Sequence, residues 1–255
     1  MKIIKIAETS STNSWVAKYI ADPYIPFDTT FMAYAQRQTS GRGQRGNSWE
    51  AQPDKNLTAS FFFPNPGDFF RDSSPIPVRQ FAISQAIALS AVSLLDSLGI
   101  NAKIKWPNDI YVDDKKIGGI LIEHSILGND IKHTIAGVGL NINQQEFLSD
   151  APNPVSLANL TGKEYDIDSI AVKFSRIVEG NFNPFLSDDV NHNRFMELLW
   201  RGDGNLHPFL DKKTGQRFLA RIESVKPNGL LELVTTENQH KEYAFKEVEF
   251  IIEKG

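Results

Sequence analysis

Apolar positions recur at helical spacing through Trp15, Val16, Tyr19 and Ile20, behind a candidate N-cap at Ser11 or Thr12, and Pro23 ends the pattern. A short first helix is therefore predicted to stop near Ala21. A longer one is predicted over 78–98, where Phe81, Ile83, Ala86, Ile87, Leu89, Val92, Leu94, Leu95 and Leu98 leave little polar surface and Gly99 supplies the stop. Strands are predicted at 31–36 and at Leu57-Thr-Ala-Ser-Phe-Phe-Phe63, which Pro64 closes, and then at 100–106, 110–112, 117–124 and 134–143. Gly41 to Trp49 reads as a glycine-rich loop. Helical spacing returns over 170–185 and 193–200. Past Trp200 the pattern changes to short strands at 217–225, 230–234 and 242–250 around tight turns such as Pro227-Asn-Gly229. A boundary is placed near Asp203. Residues 1–203 then form an α+β domain, a mixed sheet with helices packed on it, and residues 204–255 a small β-barrel.

Composition narrows the function classes. Lys and Arg number 27 against 31 Asp and Glu, a net charge of −4 that gives no global field for a phosphate polymer, so no nucleic-acid partner is expected. The chain has no cysteine, which closes disulfide, thiolate-metal and thioester chemistry. Met1-Lys-Ile-Ile-Lys5 runs into the polar stretch from Glu8 to Asn13 without the apolar core of a secretory signal, and no uninterrupted apolar run approaches the roughly 20 residues that span a bilayer. No membrane association is expected, and the cytoplasm is the expected location.

Three polar clusters carry candidate chemistry. Gly41-Arg-Gly-Gln-Arg-Gly46 matches the dinucleotide-binding spacing G-x-G-x-x-G, but the following Asn-Ser-Trp-Glu is a poor helix and no acidic side chain lies between Asp54 and Asp68. A protein-kinase reading lacks its H-R-D and D-F-G partners. Three glycines still let backbone N–H groups converge on an anion, with Arg42 and Arg45 adding charge; a hairpin turn with solvated arginines is the plainer alternative. In the second cluster, Lys105-Trp-Pro-Asn-Asp109, Pro107 fixes the chain so that Asn108 and Asp109 sit at a strand end. The hairpin tip Asp113-Asp-Lys-Lys116 then puts Lys116 where the return strand begins. The third is Gly137-Val-Gly-Leu-Asn141-Ile-Asn143, whose alternation buries Val138, Leu140 and Ile142 and leaves Asn141 and Asn143 opposite. There an Asn can read an adenine edge or merely cap a turn.

In this order, Ser11-Thr-Asn13, Gln38 to Trp49, Lys105 to Asp109, Lys116-Ile-Gly-Gly-Ile-Leu-Ile-Glu123 and Gly137 to Asn141 resemble the biotin protein ligases, over about residues 9–143. The resemblance implies a class II synthetase-like catalytic domain and an SH3-like C-terminal barrel. It implies an ATP-dependent biotin–[acetyl-CoA-carboxylase] ligase, which makes biotinyl-5′-AMP from biotin and ATP with Mg2+ and passes biotin to a lysine of a biotin carboxyl carrier domain. Only ten residues precede Ser11, too few for the DNA-binding helix-turn-helix of bifunctional members, so a monofunctional ligase is expected, as a monomer or homodimer. By resemblance Ser11, Thr12, Asn13 and Gln38 contact the ureido end of biotin, and Gly41, Gly43, Gln44 and Gly119 line its path. Arg42 and Lys116 are the catalytic cations between carboxylate and α-phosphate. Arg45, Trp49, Asn108, Asp109 and Asn141 fall on the nucleotide side, with Asp109 a metal contact, direct or through water. Relatives carry more basic residues in the glycine loop than Gln44, Asn47 and Ser48 here, so the loop is expected to rely on its backbone and Arg45, and to order on binding ligand. The rival functions are a lipoate or octanoate ligase on the same fold, which would want a long apolar tunnel, and a non-catalytic biotin- or nucleotide-sensing module.

Overall fold

A computed structural model describes residues 1–24, 28–66, 70, 74–149, 153–182 and 188–252 of the chain. The amino-terminal part runs β1 (Lys2–Thr9), α1 (Thr12–Ile20), β2 (Phe31–Gln38), β3 (Gly41–Arg42), β4 (Ser48–Trp49), β5 (Leu57–Pro64), α2 (Ile76–Asp96) and β6 (Lys103–Lys105). It continues through β7 (Asp109–Val112), β8 (Lys115–Leu127), β9 (Asp130–Leu140), α3 (Leu157–Thr161), α4 (Ile167–Asn181) and α5 (Asp188–Glu197). Its seven-stranded sheet has the order β1-β2-β5-β9-β8-β7-β6, with β1 parallel to β2 and the remaining neighbours antiparallel. A mixed α+β fold is what the sequence pattern predicts.

The near-continuous apolar runs of β2 and β5 follow from burial on both sheet faces. In β2, Met32 and Tyr34 join the large core beneath α2 and α4, whereas Phe31, Ala33 and Ala35 join a smaller core beneath α1 with Val16, Ile20, Phe62 and Ile135. In β5, Leu57, Ala59, Phe61 and Phe63 face the large core, which leaves Thr58 and Ser60 on the α1 face. Strand period two extends that face to Gly137 and Gly139 of β9 and to Gly119, Leu121 and Glu123 of β8. This stretch of sheet is covered by small and polar side chains instead of a second helix. α2 is the described helix long and apolar enough to cross a membrane, but most of it is buried within the protein, against α4 and α5. It stops as predicted, with Gly99 in the left-handed region and the Ile100 N–H returning to the Leu95 carbonyl.

Several elements differ from the sequence reading. β1 is an edge strand whose Lys2, Lys5 and Glu8 interrupt the apolar alternation, as suits an edge. α4 begins at its Asp166 N-cap, which accepts from the Ser169 N–H, and the end of the helix predicted to 185 lies outside the described residues. α5 overlaps the predicted 193–200 but starts and ends earlier, at Asp188 and Glu197. Beyond it, β10 (His207–Asp211), β11 (Arg217–Val225), β12 (Leu231–Thr235), β13 (His240–Tyr243) and β14 (Val248–Phe250) form an antiparallel sheet of order β13-β12-β11-β10-β14. The sequence pattern missed β10 and merged β13 with β14, which a turn at Ala244–Glu247 separates. The predicted barrel is not closed: β13 and β14 are edges, and the sheet is open. Asp203 lies in the connection between α5 and β10. The large core runs on through Phe209, Ile222, Leu233 and Phe250, and the Trp106 indole donates to the Gly229 carbonyl at 2.9 Å.

In β8, burial pushes the His124 imidazole down to about 4, and its Nδ1 lies 2.9 Å from the Thr134 hydroxyl. Above the usual pKa of about 6.5 both folded and unfolded states are neutral here, so His124 contributes no pH dependence. As pH falls from there towards 4, the unfolded chain takes up a proton that the folded chain refuses, and stability falls by up to about 3 kcal/mol. His124→Gln should lose correspondingly less unfolding free energy than the unsubstituted protein between pH 7 and pH 4 in denaturant titrations. Equal losses would refute the assignment.

Candidate active site

The uncovered stretch of sheet floors a cavity of about 1080 Å³, closed on another side by the C-terminal sheet. At one end lies the start of α1. Ser11 is its N-cap, yet its side chain makes no capping bond. The Thr12 N–H donates to Gln38 Oε1 at 2.9 Å, and Asn13 Nδ2 donates to the Leu121 carbonyl at 3.2 Å and to Glu123 Oε2 at 2.8 Å. The Ser60 hydroxyl donates to Asn13 Oδ1 at 2.6 Å and lies 2.7 Å from Thr12 Oγ1. Ser11, Thr12, Asn13 and Ser60 are all buried. This end is neutral and polar. A Cβ on Gly137 would lie 2.4 Å from Asn13 Oδ1, so that glycine makes room for the amide.

The glycine loop crosses the cavity as a small hairpin, with Gly41 opposite Trp49 and Arg42 opposite Ser48. A Cβ on Gly41 would meet the Trp49 carbonyl at 2.3 Å, which explains glycine there. The Gln44–Gly46 turn is one short 3-10 turn, closed by the Gly43 N–H on the Asn47 carbonyl at 2.7 Å. Arg42 grips Glu123 with both forks, at 3.0 and 2.9 Å. Trp49 lies on the sheet with its ring over Gly119 and Gly139, and its buried Nε1 has no partner. Glu50 ties the hairpin down: its carboxylate accepts from the N–H groups of Leu148 and Ser149 and from Gln144 Nε2. Burial alone would raise its pKa, but these bonds hold it below the ordinary carboxylate value.

The second cation stands across the floor. Lys116 opens β8, and its ammonium is 2.7 Å from Asp109 Oδ1 and 5.8 Å from the Trp49 ring centre. Lys105 approaches the other Asp109 oxygen at 3.9 Å. Burial, reinforced by Lys116 and opposed by Asp109, pushes the Lys105 ammonium below its ordinary pKa. Asn108 Nδ2 donates to the Ile120 carbonyl at 2.6 Å, fixing the turn after the Trp106–Pro107 cis peptide.

Most of the residues singled out by sequence therefore meet: Ser11, Thr12, Asn13, Gln38, Arg42, Gly43, Gln44, Trp49, Asn108, Asp109, Lys116 and Gly119 line one cavity. Gly41 pairs with Trp49 at the open end of the hairpin and is not part of the lining. The Arg45 side chain lies outside the described residues. Asn141 does not line this cavity. It is buried behind the floor, where its amide donates to the Val155 carbonyl at 3.1 Å and reaches towards that of Lys116 at 3.5 Å. Backbone carbonyls take its donor, which steadies the start of β8, and its buried Oδ1 has no partner. Sequence reasoning missed Ser60, Glu50 and the role of Glu123, together with Lys212, Phe245, Lys246 and Glu249 from the C-terminal sheet, which also line the cavity. Glu123 stood within a quoted motif; the others carried no local signal, since only tertiary structure brings them here.

Chemically, a neutral polar end leading to two cations and an aromatic ring suits an elongated acid whose carboxylate meets a second anion. The chain also has known relatives. A family model described as the Biotin/lipoate A/B protein ligase family matches residues 7–141, and the chain belongs to that family. It is 26% identical over 199 residues, 74% of this chain, to the bifunctional ligase/repressor BirA of Bacillus spizizenii, and spans only 56% of that relative's length. It is 28% identical to the biotin–[acetyl-CoA-carboxylase] ligase of Paracoccus denitrificans, covering 67% of this chain and 70% of that one. The solved biotin protein ligase of Aquifex aeolicus in complex with biotin and ATP superposes with a TM-score of 0.75 over 97% of each chain at 24% identity, a likeness of fold.

The Trp49 ring depends on bare backbone beneath it, because a Cβ on Gly139 would lie 2.4 Å from its Cε2. Gly139→Ala should lift the indole, increase acrylamide quenching of tryptophan fluorescence relative to a Trp49→Phe control, and cost about 1–3 kcal/mol of stability by overpacking. Unchanged quenching and stability would show that the ring does not rest there.

Proposed function

We propose that this chain is a biotin protein ligase, joining biotin to ATP and then to a lysine of a biotin carboxyl carrier domain. The observation that carries the reading is the convergence of Arg42 and Lys116 on one cavity whose far end is neutral and hydrogen-bonding. In the first step a carboxylate oxygen of biotin bonds to the α-phosphorus of ATP, and the bond to the bridging oxygen of pyrophosphate breaks. Two unit charges about 4 Å apart repel by roughly 4 kcal/mol at an effective dielectric of about 20, and the substrates together carry several. Arg42 supplies a planar fork that binds a carboxylate or phosphate through two N–H groups, and Lys116 a compact charge that follows the electrons as they move towards phosphate. In the second step the acceptor amine attacks the acyl carbon of the mixed anhydride, and AMP leaves.

The remaining roles follow the same logic. Ser11, Thr12, Asn13 and Gln38 bind the ureido ring, with Gly43, Gln44 and Gly119 along the chain of the acid. Trp49 covers the base, Arg45 and Asn108 belong to the nucleotide side, and Asn141 acts by holding Lys116. Asp109 and Glu249 are the carboxylates in the described lining, and lysines pair with both. Such a lining fits magnesium as an ion carried chiefly by phosphates, with Asp109 the residue to hold it directly or through water. When bound, the ion would neutralise charge on the departing pyrophosphate. The open C-terminal sheet is read as an SH3-like unit of residues 204–255 that closes the site of a catalytic domain at 1–203. A cytoplasmic location, a monomer or homodimer, and action without nucleic acid or membrane complete the reading.

The polar end favours biotin over lipoate or octanoate. A fatty chain would leave buried hydroxyl and amide groups unpaired, at about 1–3 kcal/mol each. Incubating the protein with biotin, Mg-ATP and a purified carrier domain should raise the mass of the carrier by one biotinyl group, with octanoate giving no adduct. Arg42→Ala and Lys116→Ala should each cut biotin-dependent pyrophosphate release at least about 100-fold, on the scale of losing one charge-stabilising donor, while circular dichroism stays unchanged. Turnover retained in both folded variants would overturn the roles given to Arg42 and Lys116, and no turnover by the unsubstituted protein would favour a sensing module over an enzyme.

A further inference from the structure

We propose that Glu123 is a positioning residue of this cavity, one carboxylate that sets both the hydrogen-bonding polarity of Asn13 and the station of Arg42; this rests on the reading of the cavity as a biotin site. Its two oxygens serve both partners: Arg42 takes both through its fork, and Asn13 Nδ2 shares Oε2 at 2.8 Å. An ionised carboxylate only accepts hydrogen bonds, so Asn13 must turn its NH2 group towards it. The Leu121 carbonyl takes the second hydrogen of that group. What Asn13 has left is Oδ1, which accepts one bond from Ser60 and keeps one lone pair.

Across the same end the polarity is opposite. Gln38 Oε1 already accepts from the Thr12 N–H, which leaves the Gln38 NH2 group as its remaining valence. An acceptor on Asn13 and a donor on Gln38 complement a ring bearing an N–H and a carbonyl, as a cyclic urea does. Glu123 thus fixes which way the polar end reads its ligand.

The second effect falls on Arg42. Its pair with Glu123 is about two-fifths exposed on each side, and such a pair holds weakly. It parks the guanidinium at the cavity and orders the hairpin of Gly41–Trp49 before substrate arrives, yet yields to an anion of higher charge. A neutral residue at 123 would free the guanidinium to wander and Asn13 to flip.

The test uses Glu123→Gln in the full-length chain. Calorimetry would measure binding of biotin and of biotinol, the uncharged alcohol that has no use for Arg42, and hydrogen exchange would follow amides 41–49 without ligand. Biotin should bind about tenfold more weakly, the size of one lost charge-assisted hydrogen bond, and biotinol severalfold more weakly through Asn13 alone. The hairpin amides should exchange faster, the melting temperature should hold, and KM for biotin should rise by more than kcat falls. Affinities within twofold and unchanged exchange would overturn the proposal, as would equal losses accompanied by a general fall in stability. If the unsubstituted protein bound neither ligand, the biotin reading would fail; the exchange arm would still decide whether Glu123 holds the hairpin.

Discussion

On the proposed reading, two anions that repel each other must be held in contact, and the rest of this structure can be understood from that requirement. The cations that allow it come from separate places: Arg42 from a four-residue ladder between β3 and β4, and Lys116 from the start of strand β8. Neither could be held by its own segment. Glu123 and Glu50 fasten the hairpin, while Asn141 and the Asn153–Val155 segment clamp the backbone of Lys116. Each of the two cations has a carboxylate partner, Glu123 for Arg42 and Asp109 for Lys116, while Lys105, Lys212 and Lys246 keep the cavity lining basic.

The floor is the second constraint. A sheet face normally carries large apolar side chains to meet a helix, and β2 and β5 do so beneath α1. Further along the same face Ser60, Gly119, Gly137 and Gly139 replace them, which frees the volume a ligand and Trp49 need. The price is a region of little internal packing, with a buried indole N–H left unpaired. Stability is carried by the opposite face, where α2 and α4 cover a continuous aromatic and aliphatic core. Site and core are thus two faces of one sheet, alternating residue by residue along β5, β8 and β9.

This division also explains what the sequence made legible. Long-period signals were clear: α2 has apolar residues on every side and a glycine stop, and the run at Leu57–Phe63 could only be a doubly buried strand. Site residues on strands and turns were legible as dense polar and glycine motifs where apolar residues were due, as at Gly137-Val-Gly139. Edges and long-range partners were not. β1 hides behind its charges, β10 is short, and β13 and β14 are joined by a turn whose residues look like strand. For Asn141, alternation gives the side of the strand it faces, not that backbone carbonyls wait there for its amide. Glu50 and Ser60 are ordinary residues in sequence and become informative only when Gln144, Leu148 and Asn13 are brought to them.

The proposed joining of the two anions would leave a trace in the products. Biotin carrying oxygen-18 in its carboxylate should, after one round of transfer to a carrier lysine, deliver one labelled oxygen to the phosphate of AMP and none to pyrophosphate, as read by mass spectrometry. Unlabelled AMP, or label in any other phosphate, would contradict attack of the carboxylate on the α-phosphorus and with it the purpose assigned to Arg42 and Lys116.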